Sequence, residues 1–251
     1  MRSSPSRSKP NKTNPSEVGK EGFIHYLFDR ISPRYDLFNR LSSLGFDQFW
    51  RRQAIARLQL IPGMRILDCA SGTGDLARFA AEAIVPLGFV VSCDISGSML
   101  HFAKRKLAKT PPARWHVRMT QGRAETLPFL FGSFDAATMG FALRNVTDLR
   151  ITFQELHRVL KPGGRLTLLE FGRPEGQILR EGHRFWLDVA VPVLGFLTTG
   201  AIWPFLYLRQ SILRFMEPAD VIARLKEVGF TKVDVEFLNG GIVVLYRAVR
   251  P

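Results

Sequence analysis

The run Ile66-Leu67-Asp68-Cys69-Ala70-Ser71-Gly72-Thr73-Gly74-Asp75 constrains this chain more than any other feature. A short apolar strand there enters a glycine-containing turn, where backbone without Cβ atoms can approach a ligand, and a helix follows. The next apolar run, Val90-Val91-Ser92-Cys93, ends in Asp94. That acid lies 20 residues beyond Gly74 (94 − 74). This is the spacing of a strand–turn–helix–strand unit whose second strand delivers a carboxylate to the two hydroxyls of a ribose. The pattern predicts a nucleotide-sized pocket and an adenosine-containing cofactor.

The dinucleotide fingerprint needs a third small residue and a pyrophosphate at the helix N-terminus. Here Gly72-Thr73-Gly74 is followed by Asp75-Leu76-Ala77. An acid at that end of the helix repels a pyrophosphate and suits an ammonium or sulfonium group. Asp68 adds a second acid nearby. The reading therefore favours S-adenosylmethionine over NAD; a glycine turn with no ligand is the bland alternative.

Apolar periodicity continues the alternation. Strands are predicted at 64–70, 89–94, 114–120, 134–141 and 165–171, with helices at 75–84, 97–108 and 148–160 between them. A helix at 218–228 and two closing strands, 231–237 and 242–249, follow a long insertion. Asn239-Gly240-Gly241 suits a hairpin turn. Repeated strand–helix units predict a mostly parallel α/β sheet of seven strands. Residues 21–62 read as an N-terminal helical cover, with Phe23, Ile24, Leu27, Phe28 and Ile31 at helical spacing. Residues 63–251 form the main domain, with a lid insertion at about 172–216. Residues 1–20 read as a disordered basic tail, Ser/Pro/Lys/Asn-rich and without the apolar segment of a secretory signal.

The 251 residues carry a net charge of +13, which points to nucleic acid, an anionic membrane surface, or solubility alone. No zinc-ligand spacing or RNA-stacking motif accompanies it, so a membrane surface is favoured and no metal or nucleic acid is expected. The two cysteines, Cys69 and Cys93, both fall in predicted buried strands. They suit a reducing, cytoplasmic setting. Val189–Leu208 has no charged residue over 20 positions, long enough to cross a bilayer. Pro192, Gly195, Gly200 and Pro204 interrupt it, so a greasy lid over a lipid-like substrate is favoured over a membrane span or a plain buried helix pair.

Several segments resemble the ubiquinone/menaquinone biosynthesis C-methyltransferase family over about residues 22–249. They are Phe28-Asp29-Arg30-Ile31-Ser32-Pro33-Arg34-Tyr35-Asp36-Leu37-Phe38-Asn39, Ala124-Glu125-Thr126-Leu127-Pro128-Phe129 and Phe141-Ala142-Leu143-Arg144-Asn145-Val146. Leu160-Lys161-Pro162-Gly163-Gly164 and Leu169-Glu170-Phe171 follow in order. The resemblance implies a class I (Rossmann-like) methyltransferase acting on the ring of a polyprenylated demethylmenaquinol or the related benzoquinol. It implies an S-adenosylmethionine site built from Asp68, Gly72, Thr73, Gly74, Asp94, Arg123, Ala124, Glu125 and Gly140. Three departures stand out. Arg123 replaces an Asp or Asn and cannot accept a bond from the adenine amino group, which leaves that contact to backbone groups or Glu125. Ala142 and Gly140 replace a glycine and a small polar residue, and the lid carries Ala201-Ile202-Trp203-Pro204-Phe205 in place of a polar, acidic segment.

An aromatic carbon becomes nucleophilic when a ring hydroxyl loses its proton, so the reaction calls for a base or cation beside that hydroxyl. Arg144 is the candidate for stabilising the phenolate, Tyr35 and Asp36 for binding or deprotonating the hydroxyl, and Asn39 and Asn145 for orienting it. Tyr207 is a further candidate from the lid, and Phe196, Trp203, Phe205 and Tyr207 are its candidate membrane contacts. An RNA methyltransferase, a noncatalytic S-adenosylmethionine-binding module and an NAD oxidoreductase remain the alternatives. A homo-oligomer is left open. The expected setting is peripheral, on the inner face of the cell membrane.

Overall fold

The computed structural model describes residues 20–111 and 113–251; apart from Lys20, the predicted tail lies outside them. Strands β1 (Arg65–Cys69), β2 (Phe89–Asp94), β3 (Val117–Gln121), β4 (Phe134–Gly140), β5 (Leu160–Phe171), β6 (Thr231–Leu238) and β7 (Val243–Val249) form one sheet. Its order is β3-β2-β1-β4-β5-β7-β6. The first five strands pair in parallel, and β7 runs antiparallel to both its neighbours. The expected α/β architecture is observed. Asn239-Gly240-Gly241 closes the final hairpin, all three in left-handed backbone.

Two strand boundaries differ from the sequence reading. Residues Ala113–His116 are a helical turn, α6, and β3 starts only at Val117. The Arg114 N–H donates to the Thr110 carbonyl, an i,i+4 bond that alternation of side chains does not reveal. β5 starts at Leu160, which pairs with Phe134 before the register skips to Ala136 against Arg165. The Lys161–Gly164 loop bulges out of the strand at that skip.

Alternation along the central strands sorts the core. Leu67 and Cys69 of β1 and Val91 and Cys93 of β2 pack with α7 (Leu149–Val159) and α11 (Pro218–Glu227). Ile66 and Val90 point to the opposite face, against α3 (Phe46–Arg57) and α4 (Asp75–Ala83). Strands covered on both faces in this way belong to parallel sheets. Cys69 and Cys93 are free, buried register partners in adjacent strands. Burial pushes both thiols up, Cys93 to about 12.

A third apolar cluster joins α1 (Lys20–Ile31), α2 (Tyr35–Ser42), α5 (Gly97–Leu107) and the insertion. The insertion runs as α8 (Gln177–Phe185), a π-helical stretch over Trp186–Ala190, α9 (Val191–Thr199) and α10 (Trp203–Arg214). Gly200, with φ 74°, ends α9 and separates it from α10. Among the described residues no helix is long and apolar enough to cross a membrane. Helical periodicity also divides the expected membrane contacts. Phe205 is only 2% exposed and packs on Phe38, with ring centroids 4.3 Å apart. Trp203 stacks on Tyr26 at 5.8 Å. Of the four aromatics expected on the outside, Phe196 is exposed.

Candidate active site

The strand order reverses between β1 and β4, and ligands of open α/β sheets bind in the crevice beyond the strand ends at such a point. The backbone is tightly bent there. Ala70, just beyond β1, has φ 51°, Gly72 φ 54° and Phe141, just beyond β4, φ 59°. Strained non-glycine positions of this kind collect at functional sites. A cavity of about 100 Å³ opens between these ends and α1. Gly72, Asp94, Arg123, Ala124, Glu125 and Gly140 line it.

Asp94 is almost fully buried, and burial pushes its carboxyl up. One oxygen accepts the Gly72 N–H at 2.7 Å and the other the Ser96 N–H at 2.9 Å. Each oxygen keeps a lone pair for a further donor. Glu125 accepts the Thr147 N–H at 2.7 Å and lies 3.9 Å from Arg123. Gly140 has a simple steric cause: a Cβ there would sit 2.7 Å from Leu76 Cδ1.

The other expected cofactor residues stand behind this cavity. Asp68 is fully buried, and one of its oxygens accepts the Ala77 N–H at 2.9 Å. Its other oxygen has no partner among the described residues, and burial pushes the carboxyl up to about 8. Gly74 caps α4 in left-handed backbone. Thr73 turns away and donates to Asp36 at 2.5 Å. Asp75 faces neither cavity. Lys106 lies 3.0 Å from it, Arg40 3.3 Å and Arg51 4.0 Å. Burial alone would raise the Asp75 carboxyl, but Lys106 and Arg51 outweigh it and hold the group well below the carboxylate range. Its charge is spent inside the protein, so the argument from repulsion of a pyrophosphate fails in this structure.

A second cavity, of about 340 Å³ and mostly apolar, lies between the insertion and helices α1, α2 and α3. Tyr35, Asn39, Arg144, Asn145 and Tyr207 line it, as the sequence reading expects. Asp36 does not reach it. Its carboxylate pairs with Lys106 at 2.8 Å on the far side of α2. Tyr35 and Asp36 are adjacent on a helix, about 100° apart around its axis, and here Tyr35 takes the chamber side while Asp36 takes the Lys106 side. The two cavities share Phe28, Tyr35, Phe141 and Asn145.

Arg144, the candidate for stabilising the phenolate, is an ion-paired cation. Its Nη1 donates to Glu170 Oε1 and to the Phe141 carbonyl, both at 2.6 Å. Glu170 also accepts the Phe171 N–H at 2.9 Å and the Arg144 N–H at 3.2 Å. The Tyr207 hydroxyl approaches Asn145 Oδ1 at 3.4 Å, and burial pushes its own proton loss up. Trp50 donates to Asn239 at 2.7 Å, and Trp186 to the Ser42 carbonyl at 3.0 Å. These two indoles and His183 line the larger cavity unannounced by any motif. Trp186 and His183 sit in the insertion, where only hydropathy was informative.

The profile of the ubiE/COQ5 methyltransferase family matches residues 16–250. The chain belongs to this family. It is 41% identical over 225 residues to the ubiquinone/menaquinone biosynthesis C-methyltransferase UbiE of Syntrophotalea carbinolica, covering 89% of this chain and 92% of that one. It is 34% identical over 242 residues to the demethylmenaquinone methyltransferase of Symbiobacterium thermophilum, covering 94% and 96%. Among solved structures, a SAM dependent methyltransferase from Aquifex aeolicus superposes with a TM-score of 0.61 at 18% identity, covering 96% of this chain and all of that one. At that identity the likeness shows the fold. A methyltransferase of the ubiE/COQ5 family therefore has a glycine-turn cavity and an apolar cavity meeting at Tyr35, Phe141 and Asn145.

Proposed function

We propose that this methyltransferase moves a methyl group from S-adenosylmethionine to a ring carbon of a polyprenylated quinol, either demethylmenaquinol or the related benzoquinol. The observation that carries the reading is the junction of the two cavities. One is built around a buried carboxylate and backbone, the other is an apolar chamber, and they share Tyr35, Phe141 and Asn145.

The residues fit the methyl donor. The spare lone pairs of Asp94 suit two ribose hydroxyls, and Gly140 lets the end of β4 pack close to Leu76 at the cavity wall. When bound, S-adenosylmethionine supplies an electrophilic methyl. Asp94 and the Gly72 turn would anchor it, with Ala124 and Glu125 beside the adenine. In the apolar chamber, Arg144 contributes a fixed positive group among mostly apolar walls, where it favours charge developing on a quinol oxygen. Glu170 balances part of that charge and holds the guanidinium still. Asn145 and Tyr207 orient the ring, and Asn39 borders the chamber. Asp36 takes no part at the ring.

A substrate with a polyprenyl tail resides in the bilayer, so the chamber must open toward it. Leu44, Phe46 and Leu179 line the chamber and are also exposed. Val193, Phe196 and Leu197 lie outward on α9, with Ile178 and Phe185 on α8. Arg180 and Arg184 flank them. Apolar insertion and cation attraction to anionic lipid together support reversible peripheral binding. The enzyme is expected to bind anionic vesicles and to be released by high salt.

Purified protein, S-adenosylmethionine and a demethylated quinol in detergent test the reading, with the methylated product detected by mass spectrometry. No product from either quinol would overturn it. An RNA methyltransferase would instead show nucleic-acid affinity falling steeply with salt. Phe196→Ser with Leu197→Ser should weaken vesicle binding and turnover of a long-tailed quinol while sparing a tail-less analogue. Equal losses on both substrates would assign these residues to packing.

A further inference from the structure

Ring methylation needs an acceptor for the hydroxyl proton, and the residues around the apolar chamber can be sorted by whether they have a lone pair to offer. Asp47 lines the chamber but is buried and held by Arg40 and by Arg51, the latter at 3.0 Å. Ser43 and Gln48 bond it as well. Glu170 is fully buried against Arg144, outside the chamber wall. Arg51 and Arg144 carry no acceptor. Tyr207 is a phenol whose proton loss is made harder by burial. Tyr35 offers a phenolic hydroxyl, itself a donor. Asp36 lies outside the chamber, on Lys106.

His183 is what remains. It sits on α8, half-buried, one turn before the π-helical stretch, and lines the chamber with its helix neighbours Leu179 and Trp186. π-helical turns recur at functional sites. Among the described residues no hydrogen bond or ion pair engages its ring. The charged residues on its own helix, Arg180, Glu181 and Arg184, are exposed. Those on the facing elements are the Arg144–Glu170 pair and the network in which Asp47 and Asp75 meet Arg40 and Arg51.

Resting on the quinol reading, we propose that His183 is the catalytic residue that accepts the ring hydroxyl proton. The O–H bond breaks, the proton goes to an imidazole nitrogen, and the oxygen's electron pair is shared into the ring. The ring carbon's pair then forms the new carbon–carbon bond as the sulfur–methyl bond breaks, its pair staying on sulfur. The resulting dienone loses its carbon-bound proton to water while its oxygen takes the proton back from the imidazolium. The balance is one methyl transferred, one proton released and a neutral His183 restored. Burial lowers the His183 pKa from the ordinary histidine value, which keeps the ring in its accepting form at neutral pH.

The test is turnover of the demethylated quinol by wild type, His183→Gln and His183→Ala across pH, with S-adenosylmethionine affinity measured calorimetrically beside it. Wild type should lose kcat/KM on the acid side with a single pKa below the ordinary histidine value. His183→Gln should lower kcat by roughly 10²–10⁴-fold, abolish that acid limb and keep cofactor affinity. Free imidazole should restore part of the His183→Ala rate. An acid limb that persists in His183→Gln, or turnover equal to wild type, overturns the role. If the variants fail to fold, the wild-type ring decides by NMR: it must be neutral at pH 7 and its pKa must shift when a quinol analogue fills the chamber. A wild-type enzyme inert on both quinols would overturn the quinol reading itself, and that outcome is distinct from an active enzyme indifferent to His183.

Discussion

Glu170→Gln tests how the chamber holds the Arg144 guanidinium. Glu170 is inaccessible, and the Arg144 side chain is 6% exposed. One glutamate oxygen takes Arg144 Nη1 and the Phe171 N–H, and the other takes the Arg144 N–H. A glutamine can keep its carbonyl on the first pair, but its amino group then faces the Arg144 N–H, donor against donor. The substitution also leaves a buried guanidinium with no counter-charge. Removing one member of a buried ion pair costs about 3–5 kcal/mol. For a chain of this size that corresponds to a fall in Tm of roughly 6–20 °C. Urea denaturation followed by circular dichroism should show the loss as a lower midpoint at unchanged slope. Combining Glu170→Gln with Arg144→Met removes the stranded charge and should recover most of the stability, although activity should not return. A single variant within about 1 kcal/mol of wild type, or a double variant with simply additive losses, would refute the reasoning.

Other expectations follow from separate parts of the structure. Asp94→Ala should weaken S-adenosylmethionine binding about tenfold or more by calorimetry, since a hydrogen bond to a charged group contributes ~1.5–3 kcal/mol; Asp94→Asn should lose less, because one acceptor remains for the turn. Gly195→Ala would place a Cβ 2.0 Å from the Phe205 ring. Overpacking of about 1–3 kcal/mol should exceed the ~1 kcal/mol gained from helix propensity and lower Tm. Asp68, raised to about 8 in the folded protein, binds a proton there that the unfolded chain has already released above its ordinary carboxylate value. Its contribution is therefore full below that value and is lost as pH rises toward 8. Ligand-free wild type should lose up to about 1.4 kcal/mol per pH unit between pH 5 and 7 relative to Asp68→Asn. Parallel stability curves for the two proteins would contradict the assignment.

The glycine turn, the acid twenty residues on and the strand–helix alternation were legible because each rests on local geometry. A period of two in β1 and β2 places Leu67 and Cys69 opposite Ile66 whatever the rest of the chain does. Tyr35, Asn39, Arg144, Asn145 and Tyr207 were legible as cavity residues only through the resemblance. The partners of charged side chains were not legible. Nothing in the spacing shows that Lys106 reaches Asp36 and Asp75 across 70 and 31 positions, or that Glu170 meets Arg144. Yet those pairings withdraw Asp36 from the ring and Asp75 from the cofactor.

The insertion divides the two kinds of knowledge most clearly. Its composition alone determined that Val189–Leu208 is uncharged and interrupted at Gly200. Which side of each helix is greasy outward was decided only by packing. Phe205 fills the space between Phe38 and Gly195, while Phe196 finds no neighbour of that kind and stays exposed. The same folding brings His183 from an unremarked polar stretch to the wall of the chamber. Hydropathy is a property of the residue; a cavity, a stranded charge or an uncommitted base is a property of what surrounds it, and that is set by contacts between residues far apart in the chain.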